Sequence, residues 1–106
     1  MGANIELTAA DGRALGAYEA RPGGEPLGGV VVVQEIFGVT AHIRDVADAF
    51  AAAGYHAVAP ELFDRFEPGM MLAYTDIEGG RERVARLTRQ DILADVGGAV
   101  MHLAGS

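Results

Sequence analysis

Residues 30–64 read VVVVQEIFGVTAHIRDVADAFAAAGYHAVAPELFD, and this stretch decides the fold. Val30–Val33 are four β-branched residues with no polar alternation. That pattern predicts a strand buried on both faces, as in a parallel sheet layered between helices. Ile43, Val46, Ala47, Phe50 and Ala53 then recur at spacings of three and four, the apolar stripe of a helix. Gly54 suits the position just past a helix end, and Tyr55–Ala59 is a second apolar run, closed by Pro60. Strand, loop, helix and strand in this order make a βαβ unit. Ligands of open α/β sheets bind outside the carboxyl ends of the strands. Gln34-Glu35-Ile36, where the valine strand ends, is therefore the first candidate site.

Working outward, Ile5–Thr8 alternates apolar and polar residues, Asp11-Gly12 is a hairpin turn signal, and Leu15–Ala20 reads as the returning strand. Pro22, Gly23, Gly24, Pro26, Gly28 and Gly29 mark a loop before the valines. Pro60–Tyr74 is loop-like, with a turn at Pro68-Gly69. Beyond it, Val84, Leu87, Ile92, Val96, Val100 and Leu103 form a helical stripe, with Asp91 placed to cap its second part and Gly97-Gly98 weakening its middle. The fold class is α/β: a short antiparallel hairpin, then parallel βαβ strands flanked by helices.

With 106 residues the chain is one small domain, and with half of them apolar it is not a disordered one. A net charge of −7 argues against nucleic acid as a partner. No apolar run approaches the ~20 residues of a membrane span, and Glu6, Asp11 and Arg13 break any signal-peptide pattern, so a cytoplasmic protein is expected. There is no cysteine, which removes disulfides, thiolate metal sites and a cysteine nucleophile from these residues.

The series QEIFG at a strand end, followed by HIRDVADAFAAAGYHAVAPELF, resembles the dienelactone hydrolase (carboxymethylenebutenolidase) family of the α/β-hydrolases. The resemblance covers nearly the whole chain and implies the N-terminal half of that fold, residues 1–106 forming a partial domain that stops before the nucleophile elbow. It implies the strand order first, second, fourth, third, with the valine strand at an open edge. It also implies hydrolysis of a small acidic lactone or ester through a Cys-His-Asp triad lying downstream, without a cofactor, so that this chain alone is inactive. By the same resemblance the backbone N–H of Ile36 is one oxyanion-hole donor, Glu35 interacts with the resting nucleophile, and Arg81, with Arg83 as the alternate, binds the substrate carboxylate. The alternative is a non-catalytic binding module that uses the Val30–Val33 edge for self-association or to hold a complementing C-terminal half.

Other residues read more plainly. His42, His56 and His102 fall at no metal-binding spacing, and no metal site is expected. Asp45 and Asp48 look like the solvated side of a helix, and Glu61 and Asp64 follow a strand end without a fixed role. Ser106 is the one serine and lacks the strand-turn-helix setting of a nucleophile. Gly23-Gly24 and Gly28-Gly29 precede a strand, so they are no phosphate loop.

Overall fold

A computed structural model gives the architecture and describes residues 2–105. The alternating segment near the N-terminus forms β1 (Ala3–Thr8), which pairs antiparallel with β2 (Ala14–Ala20). β3 (Gly29–Val31) leads through the candidate loop into α1 (Ala41–Ala52), and β4 (His56–Pro60) follows. A short helical turn, Leu62–Arg65, comes next, and then α2 (Ile77–Arg86) and α3 (Arg89–Ala104). The sheet order is β1-β2-β4-β3, with β2 and β4 antiparallel and β3 and β4 parallel. This is the order implied by the sequence resemblance.

β4 lies in the interior of the sheet, where every residue from His56 to Pro60 is buried and Ala57, Val58 and Ala59 present small apolar side chains to the two faces. Alternation sends Ala57 and Ala59 to one face, where they meet Tyr18, Val32, Ile43 and Ala47 under α1. Val58 faces the other way, into Leu7, Leu15, Ala17 and Ala99 under α3. The sheet thus lies between α1 and α3. Gly54, with φ of 103°, ends α1 in the left-handed conformation that glycine adopts without strain, and its N–H donates to Ala51 O. Among the described residues no helix is long and apolar enough to cross a membrane.

Three local expectations are corrected. The valine run is not buried on both faces: Val32 is buried, Val30 and Val31 are partly covered, and Val33 is 54% exposed. The reason is topological, since β3 pairs with β4 on one side and ends the sheet on the other. Thr88, not Asp91, caps α3, its side chain accepting from the Asp91 N–H at 3.0 Å. Gly97-Gly98 does not interrupt α3, which runs unbroken through both. Gly98 is there for proximity, because a Cβ on it would stand 2.5 Å from the Thr8 carbonyl oxygen.

Candidate functional site

The candidate loop lies at the carboxyl ends of β3 and β4. Glu35 and Gly38 form an isolated bridge, with the Gly38 N–H donating to Glu35 O at 3.2 Å. The turn needs glycine twice over. Gly38 has φ of 94°, and a Cβ there would lie 2.5 Å from Met70 O. Ile36 sits inside this turn, and among the described residues its N–H has no acceptor. A backbone donor held in a tight turn and left without a partner is what stabilisation of a developing oxyanion requires.

Gln34 proves to be a brace. Its Oε1 accepts from the Leu62 N–H at 2.8 Å, tying the end of β3 to the helical turn after β4. On the other side, α2 presses on the loop: a Cβ at buried Gly80 would stand 2.8 Å from Ile36 O and 2.9 Å from Ile36 Cγ1. Between these supports lies a cavity of about 240 Å³. Its lining is mostly apolar, from Val33, Ile36, Leu62, Val84, Leu87 and Ile92, with Gln34 and Glu35 as the polar members. Glu35 is exposed and, among the described residues, its carboxylate makes no ion pair.

The two candidate arginines of α2 differ. Arg83 is engaged: its guanidinium donates to Glu67 Oε2 and to Gly79 O, each at 3.2 Å, and its Nε lies 3.1 Å from Glu67 Oε1. Arg81 is exposed, follows Gly80 directly, and has no partner among the described residues. Near the same strand ends, Asp64 is committed to structure, accepting from the Gly16 and Gly69 N–H groups at 2.7 Å each. Burial, with the Asp64 charge beside it, pushes the neighbouring Glu61 carboxyl above the usual range. Asp48 is not merely solvated, since it accepts from the Tyr18 hydroxyl at 2.7 Å.

Two further clusters were hidden in the sequence. Arg65, 8% exposed, donates a fork to Asp95, with Nε to Oδ2 at 3.2 Å and one terminal nitrogen to Oδ1 at 2.8 Å. Its other terminal nitrogen reaches Asp11 at 2.9 Å and Asp91 at 3.4 Å. The Asp11 hydrogen bond does most to raise the guanidinium's pKa, while burial pushes the Asp95 carboxyl up against the pull of Arg65. At the amino ends of the parallel strands, Glu19 Oε2 lies 2.8 Å from His56 Nε2 and 2.6 Å from His102 Nε2. Burial acts to raise the Glu19 carboxyl, but the two imidazoles and Arg21 outweigh it and hold it below its ordinary value. No short-range spacing foretells either cluster, because each joins residues from three separate elements.

Comparison with known proteins places these observations in a wider set. Residues 15–104 match the model of the "Dienelactone hydrolase family". A Pseudomonas putida protein named "Carboxymethylenebutenolidase" is 37% identical over 94 residues, covering 88% of this chain and 39% of that protein. An Azospirillum brasilense protein named "Putative carboxymethylenebutenolidase" is 51% identical over 70 residues, 65% of this chain and 30% of the relative. Among solved structures, "Putative Dienelactone Hydrolase" from Klebsiella pneumoniae superposes with a TM-score of 0.77 at 37% identity, covering 97% of this chain and 45% of that one. The chain thus spans 30–39% of the curated relatives it matches.

Proposed function

The chain belongs to the dienelactone hydrolase family, and on that premise we propose that it forms the oxyanion-side part of an active site that hydrolyses a small lactone or carboxylic ester. The observation that carries the proposal is the Ile36 N–H, unpartnered among the described residues, in a braced turn beside a cavity at the strand ends. In this reading a thiolate attacks the substrate carbonyl, and the negative charge that develops on its oxygen is met by the Ile36 N–H. The leaving alkoxide takes a proton, and water then hydrolyses the acyl-thioenzyme to release the acid. The chain contains no cysteine. The nucleophile therefore comes from outside these residues, and the family resemblance implies the same for the histidine and aspartate that activate it. Glu35 serves as the resting partner of the thiol. Arg81 offers a planar fork to a substrate carboxylate, a role that Arg83, bound to Glu67, has less freedom to fill. No cofactor enters the reaction.

The test compares the chain alone with the chain joined to a polypeptide covering the remaining length of a relative. The chain alone is expected to show no ester hydrolysis above buffer. The joined protein is expected to turn over, with Arg81→Ala raising KM for an acidic lactone more than for a neutral ester. Turnover by the chain alone that persists through rigorous purification and in Glu35→Ala would overturn the assignment. A second reading, a non-catalytic module that pairs through its sheet edge, is favoured by the open side of β3 and by exposed Val33. It requires a discrete oligomer in sedimentation that Val33→Lys dissociates.

A further inference from the structure

We propose that Glu19, His56 and His102 form a binding site for a divalent transition-metal ion of the Zn2+ class, fastening the last turn of α3 to the sheet. The site lies at the opposite end of the strands from Ile36 and is independent of the hydrolase reading. Alternation along β2 and β4 turns Glu19 and His56 to the α3 face, at the end of the sheet where Gly29 begins β3 opposite His56. α3 arrives there with its C-terminal turn: Leu103 lies against Gly29, and His102 reaches Glu19.

Three features suit a metal ion. The first is convergence: the two imidazole nitrogens and the carboxylate oxygen all lie within 4.8 Å of one another. The second is burial, with His56 and Glu19 side chains 3% and 11% exposed. The third is orientation. Arg21 Nε stands 3.4 Å from Glu19 Oε1, so the other oxygen, Oε2, is the one presented to both histidines. Such outer partners fix the direction in which a ligand points.

The chemistry of the donor set selects the ion. Two imidazoles and a carboxylate suit Zn2+ and its neighbours, whereas Ca2+ and Mg2+ call for oxygen ligands throughout. Zn2+ binds such atoms at about 2.0–2.2 Å, which sets tetrahedral ligands roughly 3.3 Å apart. The nitrogen–oxygen separations of 2.8 and 2.6 Å must therefore widen by about 0.5–0.7 Å, a change that small rotations of the side chains can supply. On metal binding each imidazole would give up its hydrogen bond to Glu19 and offer the Nε2 lone pair, with its proton on Nδ1. The rings do not stack, their planes standing at 67°. Three protein ligands leave a fourth position, which opens to water beside the 31% exposed His102.

The experiment titrates chelator-treated, tag-free chain with ZnCl2 by calorimetry, with Co2+ as a spectroscopic probe. One equivalent per chain is expected, with Co2+ giving the absorption of a four-coordinate nitrogen–oxygen site. Zn2+ is expected to raise the melting temperature, or to build helical circular dichroism if the metal-free chain is loosely folded, and EDTA to reverse either effect. His102→Ala, at a partly exposed helix end, and Glu19→Gln should each weaken binding at least tenfold. His42→Ala, exposed on α1, should leave it unchanged. Absence of stoichiometric binding, or equal affinity in the wild type, His102→Ala and Glu19→Gln, would overturn the proposal.

Discussion

Replacing Asp95 by alanine removes the buried partner that takes two hydrogen bonds from a buried guanidinium. Asp95 is 1% exposed and takes two of the hydrogen bonds of Arg65, whose own side chain is 8% exposed. After the change Arg65 keeps Asp11, 43% exposed, and a longer contact to Asp91 at 3.4 Å. Neither replaces the lost fork, so a charge remains in a poorly solvated place with half its donors idle. Breaking a buried pair from one side costs about 3–5 kcal/mol. Alanine's better helix propensity in α3 offsets only about 0.5 kcal/mol of that. A chain of this size has roughly 5–15 kcal/mol of net stability. With an m-value of about 1.5 kcal/mol per molar urea, the midpoint should fall by about 2–3 M. Urea unfolding followed by far-ultraviolet circular dichroism measures this directly. The double variant Arg65→Met/Asp95→Leu, which removes both charges, should recover most of the loss. A loss below about 1 kcal/mol in Asp95→Ala would mean the pair behaves like a surface one, and the reasoning would be wrong.

The two glycines inside α3 should respond to alanine with opposite signs. Gly98→Ala should lose about 1–3 kcal/mol, because its Cβ meets the Thr8 carbonyl oxygen at 2.5 Å, while Gly97→Ala, whose nearest neighbour is Ala10 Cβ at 3.6 Å, should gain about 0.5–1 kcal/mol in thermal unfolding. Gly80→Ala should likewise cost about 1–3 kcal/mol and, in the joined protein, lower kcat, since Ile36 and the turn around it must shift to admit the new methyl group; an unchanged kcat would separate α2 from the turn proposed to hold the oxyanion. Glu19 gives a pH signature. Its folded-state pKa is depressed below the ordinary 4.5, so its contribution is present above that value and is lost as pH falls through the lower folded-state pKa. Glu19→Gln should flatten this acid limb of a stability-against-pH curve, and a limb of equal steepness in the variant would assign it elsewhere.

Much of the fold was legible because its signals are local. The stripe Ile43, Val46, Ala47 and Phe50, the glycine after α1 and the small apolar run of β4 each state their own structure within a few residues. The candidate turn was legible as a polar motif at a strand end, and the family resemblance supplied the roles proposed for it. The valine run misled because β-branched composition reports a preference for the sheet, whereas burial depends on which neighbours the sheet has. Gln34 as a brace, Gly80 against Ile36, and the Arg65 and Glu19 clusters were illegible for a related reason. Each joins residues far apart in the chain, and no short-range periodicity records such meetings. Thr88 was visible as a cap residue in principle, but the break before α3 that exposes it as one is set by how α2 ends.

The central place of β4 has a consequence for how the chain comes into being. β1 and β2 are neighbours in sequence and can close as a hairpin as soon as both are synthesised. β2 then waits for β4, whose pairing residues lie on the order of forty positions later. At ribosomal speeds of about 5–20 residues per second, that interval lasts about 2–8 seconds. Throughout it the β2 edge offers unpaired peptide groups to any passing strand. On that waiting edge Ala17 and Ala20 offer little apolar grip, Tyr18 offers more, and Glu19 carries a charge that a foreign strand would have to bury. A carboxylate later enclosed by two histidines is thus also placed where a gatekeeper of the nascent chain would stand.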